Sequence, residues 1–255
     1  MYLWGVSTRN VEEITEALCG FGVSKSQVSD LAKALDYDLN LWRNRDLSEA
    51  YPYLVFDARY EKIRVEGRVM SKAVAIAVGI TENGRREVIG SWVINSESFE
   101  EWDACIQELI DRGLHGVGYV VSDQNKGLKS AIEKRFQGVT WQRCQVHFMR
   151  NFLFKLSKKM QTEGIRLLKR VFASENREEA KGRAAEVIQY LRAHKKDYVA
   201  SWFEENYEET LGVYELPPNH RKRMKSTNML ERLNQELKRR SRVVRIFPNE
   251  ASCLR

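Results

Sequence analysis

The sequence has 255 residues, of which 43% are hydrophobic and 30% are charged, and its net charge is +7 at pH 7. This length and composition suit one well-packed core, or one domain with a small appendage. No apolar run approaches the ~20 residues of a membrane-spanning helix, and the N-terminus lacks a signal-peptide pattern. The four cysteines have no disulfide-framework spacing, which indicates a reducing cytoplasm.

The first part of the chain, residues 1–50, predicts a small helical element followed by a linker. Asn10 with Glu13 and Ser24 with Gln27 have capping-box spacing, and a glycine turn at residues 20–22 separates the two helices. This pattern is compatible with a DNA-reading helix-turn-helix, although any helical hairpin shows it. In the first interpretation, the second helix presents Lys25, Ser26, Gln27, Ser29 and Lys33.

Residues 51–147 predict a mixed sheet flanked by helices, and hence an α/β fold. Strands are expected at residues 51–57, 72–80, 85–94, 116–122 and 139–143, and helices at residues 98–112 and 127–136. Asn83-Gly84 is a hairpin signal. Asp57 and Asp123 each end a predicted strand, where functional side chains of such sheets gather.

Residues 148–218 are charged and helical in pattern, with almost no strand signal, and we interpret them as an all-helical block. Residues 219–255 then form a closing helix with a basic tail. In that helix Leu230, Leu233 and Leu237 share one side, while Glu231 lies on the opposite, polar side.

The closing segment carries the whole positive excess of the chain, with eleven cations against three acids. A lone acid among cations is usually a solvated ion pair, which is the plain interpretation of Glu231. Alternatively, the cations form a track for a phosphate backbone. The cations assigned to DNA binding are Arg221, Lys222, Arg223, Lys225, Lys238, Arg239, Arg240, Arg242 and Arg245.

Asp57, Asp123 and Glu231 are the candidate catalytic residues. Three hard carboxylates suit two Mg²⁺ ions, which can support an in-line phosphoryl displacement. Strand-end aspartates also cap helices and turns, so spacing alone leaves both interpretations open.

Several blocks of the sequence resemble the mutator-type transposases of bacterial insertion sequences, a DDE class with an RNase H-like core. The matching blocks are residues 5–9 (GVSTR), 51–58 (YPYLVFDA), 121–123 (VSD) with 127–128 (GL), 141–151 (WQRCQVHFMRN), 227–234 (TNMLERLN), 238–240 (KRR) and 246–249 (IFPN). The resemblance implies that Asp57, Asp123 and Glu231 bind Mg²⁺ or Mn²⁺. It also implies that the helical block is an insertion before the glutamate.

The same resemblance implies metal-dependent cleavage and joining of double-stranded DNA, at transposon ends and target, by a homo-oligomer in the bacterial cytoplasm at the nucleoid. Cys144 and His147 match its Cys-x-x-His feature and, with Asn228, are expected near the site. A Cys–His pair is half a zinc site, but no second pair follows, so a packed thiol and a hydrogen-bonding imidazole are favoured over zinc.

This sequence departs from the family at Arg59, Gln124 and Asn125, which are expected to alter the pocket without removing a ligand. We also expect the chain to be truncated at both ends. Two rival functions follow: an inactive transposase remnant that binds DNA or hetero-oligomerises with an intact copy, and an RNase H-like nuclease.

Overall fold

The computed structural model describes residues 4–255 without the side chain of Thr8, so the first three residues of the predicted N-terminal element lie outside it. Its strands are β1 (Tyr53–Val65), β2 (Arg68–Ile80), β3 (Arg86–Ile94), β4 (Tyr119–Ser122) and β5 (Thr140–Arg143). They form one five-stranded sheet in the order β3-β2-β1-β4-β5. The first three strands are antiparallel, whereas β4 and β5 run parallel to β1. The predicted mixed sheet is confirmed.

The α-helices lie before, within and after this sheet. They are α1 (Thr8–Cys19), α2 (Lys25–Lys33), α3 (Asp36–Arg43), α4 (Phe99–Asp111), α5 (Lys126–Arg135), α6 (Gln145–Phe154), α7 (Lys158–Phe172), α8 (Arg177–Ala193), α9 (Asp197–Asn206), α10 (Pro218–Met224), α11 (Asn228–Ser241) and α12 (Glu250–Leu254). In the part of the chain described, no helix has the length and apolarity needed to cross a membrane.

The first strand corrects one prediction, because β1 does not end at Asp57 but continues to Val65. Its second half forms a hairpin with β2 through Glu66 and Gly67, which both adopt the positive φ angles of a tight turn. Pairing with β4 ends earlier, at Val55. The apolar run of residues 51–57 therefore covers the part of β1 that pairs with β4. The polar alternation after it belongs to the hairpin with β2.

The two faces of the sheet carry different cores. On one face, Phe56 contacts Trp102 of α4 edge to face, with ring centroids 5.9 Å apart. On the other face, Val55 and Val121 belong to a buried cluster with Leu230 of α11. Because side chains alternate along a strand, Asp57 points to the same face as Val55, and therefore toward α11.

Residues 148–218 are helical, as predicted. Helices α6 to α9 pack around a core of their own, to which Phe148, Phe152, Leu168, Val187 and Phe203 contribute. Two short 3₁₀ turns, Tyr207–Thr210 and Gly212–Glu215, lead back toward the sheet. Whether this block is a separate domain, and where the four predicted segments divide, stay predictions.

The N-terminal helices confirm one predicted cap and correct the other. Ser24 and Gln27 form the expected capping box at the start of α2. Helix α1, however, is capped by Ser7, whose hydroxyl accepts from the backbone N–H of Asn10, so Asn10 is not the cap. The Ser7 cap starts the helix one turn earlier than the spacing of Asn10 and Glu13 suggested. Reading of DNA by α2 stays a prediction.

Two helical glycines offer a matched test of how tightly α5 packs on the loop before α4. A Cβ at Gly127 would lie 2.5–2.7 Å from backbone atoms of residues 97–99, whereas a Cβ at Gly182 in α8 would meet nothing within 4 Å. We expect Gly127→Ala to destabilise the fold by about 1–3 kcal/mol, because the backbone has to move. Gly182→Ala should instead stabilise it by about 0.5–1 kcal/mol. Urea unfolding of both variants measures this, and equal effects would contradict the close packing.

Candidate active site

Asp57 and Asp123 lie side by side on the face of the sheet that α11 covers. The parallel pairing of Val55 with Val121 places each aspartate two residues beyond its paired valine. Asp57 is 8% exposed. Burial raises its pKa to about 6, opposed by the His147 charge and reinforced by the Asp123 charge. Burial likewise raises the pKa of Asp123, against the charges of His147 and Arg143. The structure brings these two predicted residues together.

Helix α11 carries the third predicted acid and brings an amide to Asp57. Thr227 and Ser226, just before the helix, are buried, and Leu230 fixes its first turn in the core. One turn after Glu231, the Asn234 side chain donates a hydrogen bond from Nδ2 to Asp57 Oδ2 at 2.7 Å. Residues three apart on a helix lie on the same side, so Glu231 leaves α11 on the side of Asn234.

The Glu231 carboxylate meets two cationic side chains of α6. Its Oε1 lies 2.9 Å from Arg150 Nη1 and 3.8 Å from His147 Nε2. Both side chains reach Glu231 because His147 and Arg150 are three residues apart and so lie on the same side of α6. Glu231 is therefore ion-paired, as the simpler interpretation expects. Its partners, however, are residues of α6 and not of the basic tail.

Cys144 and His147 are neighbours that influence each other electrostatically beside the acids. The thiol is fully buried and accepts hydrogen bonds from the N–H and hydroxyl of Thr227, both at 3.4 Å. Burial opposes ionisation of Cys144 most strongly, but the His147 contact and charge and the Thr227 hydrogen bonds together outweigh it and lower the pKa of the thiol. The contact with Cys144 in turn raises the pKa of His147. Cys144 thereby ties β5 to the start of α11. Asn228, the other predicted accessory residue, is the exposed first residue of α11.

The oxygens of this site fit a hard cation. Glu231 Oε1 and Asn234 Oδ1 are buried and lack a hydrogen bond of good geometry. Burial also disfavours the charge of the two aspartates, and a bound cation would relieve that cost. Within residues 4–255, no three or more Cys, His, Asp or Glu side chains are already close enough to hold a metal ion. In this arrangement Glu231 is turned toward Arg150, and the metal site stays a prediction.

Two further charged residues at the site were not predicted. Glu97, in the loop before α4, accepts a hydrogen bond from Tyr60, and its pKa is raised by burial and by the Asp123 charge. Arg143, at the end of β5, is fully buried and donates from Nη1 to Asn206 and Glu209. Arg143 lies in the block of residues 141–151 that resembles the family, whereas Glu97 has no sequence signal.

The residues that depart from the family pattern have structural partners. Arg59 donates to the backbone oxygen of Asn234 at 3.1 Å and pairs with Glu61, so it supports α11 from below. Gln124 donates to Asn206 at 2.9 Å, and Asn125 caps α5 by accepting from Leu128 N–H at 2.8 Å. These contacts leave the aspartates in place.

The predicted DNA-binding cations divide into two groups. Arg221 is engaged internally: its guanidinium donates to the backbone oxygens of Leu216, Tyr214 and Glu175. Lys225 and Arg240 are partly buried, and Arg240 lies over the Trp4 ring and pairs with Glu236. The exposed members of the set are Lys222, Arg223, Lys238, Arg239, Arg242 and Arg245.

The raised pKa of Asp57 predicts a pH-dependent cost to stability in the absence of divalent metal. Because the folded-state pKa is about 6 and the ordinary value is 3.8, the protein loses stability as pH rises from about 4 to about 6. Asp57→Asn should therefore match the wild type near pH 4 and exceed its unfolding free energy above pH 6, by about 3 kcal/mol at most. Urea unfolding in EDTA from pH 4.5 to pH 8 measures the difference.

Asp103 provides the matched control, because hydrogen bonds from Arg135 and Lys134 lower its pKa to about 2. Asp103 stabilises the fold above its ordinary pKa, and this contribution is lost only as pH falls through about 2. Asp103→Asn should therefore destabilise the protein, equally from pH 4.5 to pH 8. If Asp57→Asn behaves in the same way, the two aspartates are not desolvated as the structure indicates.

Proteins of known name are similar to the whole chain. The transposase for insertion sequence element ISRM5 of Rhizobium meliloti (strain 1021) is 46% identical over 257 residues, covering 100% of this chain and 64% of the relative. The transposase for IS256 in transposon Tn4001 of Staphylococcus aureus is 44% identical over 259 residues, covering 100% and 66%. The transposase for IS406 of Burkholderia multivorans (strain ATCC 17616 / 249) is 41% identical over 259 residues, with the same coverage.

The chain thus spans just under two thirds of the length of these relatives. Among solved structures, a chain of the simian T-cell lymphotropic virus intasome in complex with PP2A regulatory subunit B56 gamma aligns over 67% of this chain and 70% of its own. Its TM-score is 0.26 and its identity 11%, too low to bear on the fold. The family described as "Transposase, Mutator family" matches residues 1–255, and the chain belongs to that family.

Proposed function

We propose that this chain is the catalytic part of a DDE transposase, which cleaves and joins DNA strands of an insertion sequence with Mg²⁺ or Mn²⁺. The observation that carries the proposal is the convergence of Asp57, Asp123 and the Glu231–Asn234 turn of α11. These groups come from three distant parts of the sequence, and burial raises the pKa of both aspartates. Purely structural carboxylates are more commonly paired or exposed.

The fold that we propose for this function is RNase H-like. Its support is a sheet in the order β3-β2-β1-β4-β5, in which an antiparallel hairpin unit is followed by two parallel strands. The acids lie on β1, after β4, and on a helix that packs against the same face. In this view, the helical block between β5 and α11 is an insertion that separates the glutamate from the aspartates in sequence.

In the proposed mechanism, Asp57, Asp123 and Glu231 would hold the cation. When bound, Mg²⁺ or Mn²⁺ would help to activate the attacking oxygen and stabilise the leaving oxygen of an in-line phosphoryl displacement. Asn234 fixes the Asp57 carboxylate through its 2.7 Å hydrogen bond. Arg150 neutralises Glu231, and with 61% of its side chain exposed it is also available to a DNA phosphate.

The proposed partner is double-stranded DNA, bound through the exposed cations of α10, α11 and the segment after α11. Such cations contribute affinity without sequence information, because they contact phosphates. Arg221 is left out of this surface, since it holds backbone oxygens within the chain. Assembly of the active protein as a homo-oligomer is part of the proposal. So is a setting in the bacterial cytoplasm at the nucleoid.

The direct test is nicking and joining of DNA carrying the ends of the insertion sequence, in Mg²⁺ or Mn²⁺. Asp57→Asn, Asp123→Asn and Glu231→Gln should each reduce both steps more than about 100-fold, because loss of a ligand exceeds the loss of a supporting residue. The control is Glu236→Gln, on the same helix but paired with Arg239 and Arg240. It should keep its activity. Undiminished activity in the three variants would refute the assignment.

The same assay separates the rivals. Salt-dependent DNA binding by the wild type without cleavage in metal would favour the inactive regulator. Cleavage of RNA–DNA hybrids without joining, and without preference for the element's ends, would favour the nuclease.

Metal binding can also be measured without turnover. We expect MnCl₂ to raise the thermal unfolding midpoint of the wild type, because the cation binds the folded acids and relieves their burial. Asp57→Asn and Asp123→Asn should lose most of that shift, while Glu236→Gln should keep it. A shift of equal size in all four proteins would place the metal elsewhere.

A further inference from the structure

The ion pair between Arg150 of α6 and Glu231 of α11 uses a carboxylate that the proposed metal site also needs. Arg150 Nη1 lies 2.9 Å from Glu231 Oε1. Within residues 4–255, no three acidic side chains are grouped closely enough to hold a metal ion, so Glu231 does not form one group with Asp57 and Asp123. A carboxylate that neutralises a guanidinium attracts another cation less strongly. Arg150 therefore competes with a metal ion for Glu231.

The Glu231 carboxylate nevertheless lies in the neighbourhood of the aspartates. It leaves α11 on the side of Asn234, whose Nδ2 donates to Asp57 Oδ2 at 2.7 Å. His147 Nε2 lies 3.8 Å from Glu231 Oε1. After burial, the charge of His147 has the largest effect on the pKa of Asp57 and on that of Asp123. His147 is therefore close to all three acids.

The Arg150 guanidinium is open to solvent, whereas its partner is not. The Arg150 side chain is 61% exposed and that of Glu231 is 20% exposed. Among the residues that the structure describes, Glu231 is the only charged or hydrogen-bonding partner of Arg150.

The sequence around Arg150 favours a polyanion. Residues 144–162 contain four Lys or Arg and no Asp or Glu. The four are Arg150, Lys155, Lys158 and Lys159. Lys158 and Lys159, at the start of α7, are exposed. A stretch of one charge sign attracts a phosphate backbone, and a guanidinium binds a phosphate through two parallel hydrogen bonds. A DNA phosphate is therefore a strong rival to Glu231 for Arg150.

We propose that Arg150 is a positioning residue that couples DNA binding to metal binding. In the free protein Arg150 holds Glu231, and a DNA phosphate takes over Arg150 and releases Glu231 to the metal. This inference rests on the proposed function, because it assigns Glu231 to the metal. The release needs only a change of the Glu231 rotamer, since Leu230 and Asn234 keep α11 in place. The acidic site is then complete only when DNA is bound.

The test begins with the affinity of the full chain for MnCl₂ in the absence of DNA. Electron paramagnetic resonance of free Mn²⁺ measures this affinity without turnover. Arg150→Gln should bind Mn²⁺ about two- to fivefold more tightly than the wild type, because a competing, partly exposed ion pair is gone. Arg166→Gln removes the same charge from an exposed ion pair in α7 and should bind as the wild type does.

A double-mutant cycle separates this competition from the general effect of removing a cation near the site. If Arg150 acts through Glu231, Arg150→Gln should leave the Mn²⁺ affinity of the Glu231→Gln variant unchanged. If only the field of the cation matters, Arg150→Gln should raise that affinity equally in both backgrounds. Equal gains in the two backgrounds, or no gain in either, would overturn the proposal.

A second measurement uses the wild type and so does not depend on how well a variant folds. Duplex DNA should tighten Mn²⁺ binding by about two- to fivefold, after subtraction of the Mn²⁺ that the duplex binds alone. Coupling is reciprocal, so Mn²⁺ should tighten duplex binding by the same factor. Arg150→Gln should abolish both effects. Mn²⁺ affinity of the wild type that does not respond to DNA contradicts the coupling.

The outcomes also distinguish this inference from the proposed function. If Glu231→Gln weakens Mn²⁺ binding but Arg150→Gln and DNA leave it unchanged, the metal site stands and the coupling is wrong. If Glu231→Gln does not weaken Mn²⁺ binding even with DNA present, Glu231 is not a metal ligand, and the inference fails with the proposed function.

Discussion

Asp57 and Asp123 leave neighbouring parallel strands on the face of the sheet that α11 covers, and both are withdrawn from water. Burial of two adjacent carboxylates opposes folding, because each disfavours the charged form of the other. The surrounding groups offset this cost only in part: His147 and Arg143 supply positive charge, and Asn234 supplies one hydrogen bond. The packing that offsets the rest of this cost lies elsewhere, in the two cores of the sheet and in the core of the helical block.

The position of α11 decides whether the third acid belongs to the site. Three unlike contacts fix the helix: Leu230 in the core, Thr227 against the Cys144 thiol, and Asn234 on Asp57. The apolar contact sets the depth of the helix, while the two polar contacts set its rotation and its register along the sheet. Glu231 keeps only 20% of its side chain exposed, because it lies against α6. Its ion pair with Arg150 is a consequence of that placement.

Much of the fold was predictable because it is written in local patterns. Alternation and apolar runs gave the five strands, and the spacing of Leu230, Leu233 and Leu237 gave the buried face of α11. The extent of β1 was not predictable from the apolar run that ends at Asp57, since its second half is held by a hairpin partner instead of by a core. Glu97 was not predicted either, because its neighbours are distant in sequence and its residue type alone suggests an ordinary surface charge.

The helical block is joined to the acids more closely than its distance in sequence suggests. Helix α6 belongs to both, because His147 and Arg150 face Glu231 while Phe148 and Phe152 lie in the core of the block. Arg143 makes a second link: its guanidinium lies over Phe148 at 4.8 Å, pairs with Glu209 at 3.3 Å, and acts on the charge of Asp123. Two of its nitrogens, Nε and Nη2, are buried without partners. A buried cation with two unpartnered nitrogens costs folding free energy. Displacement of α9 or of the 3₁₀ turn that carries Glu209 therefore changes the field at Asp123 directly, so the block and the acidic site form one electrostatic unit.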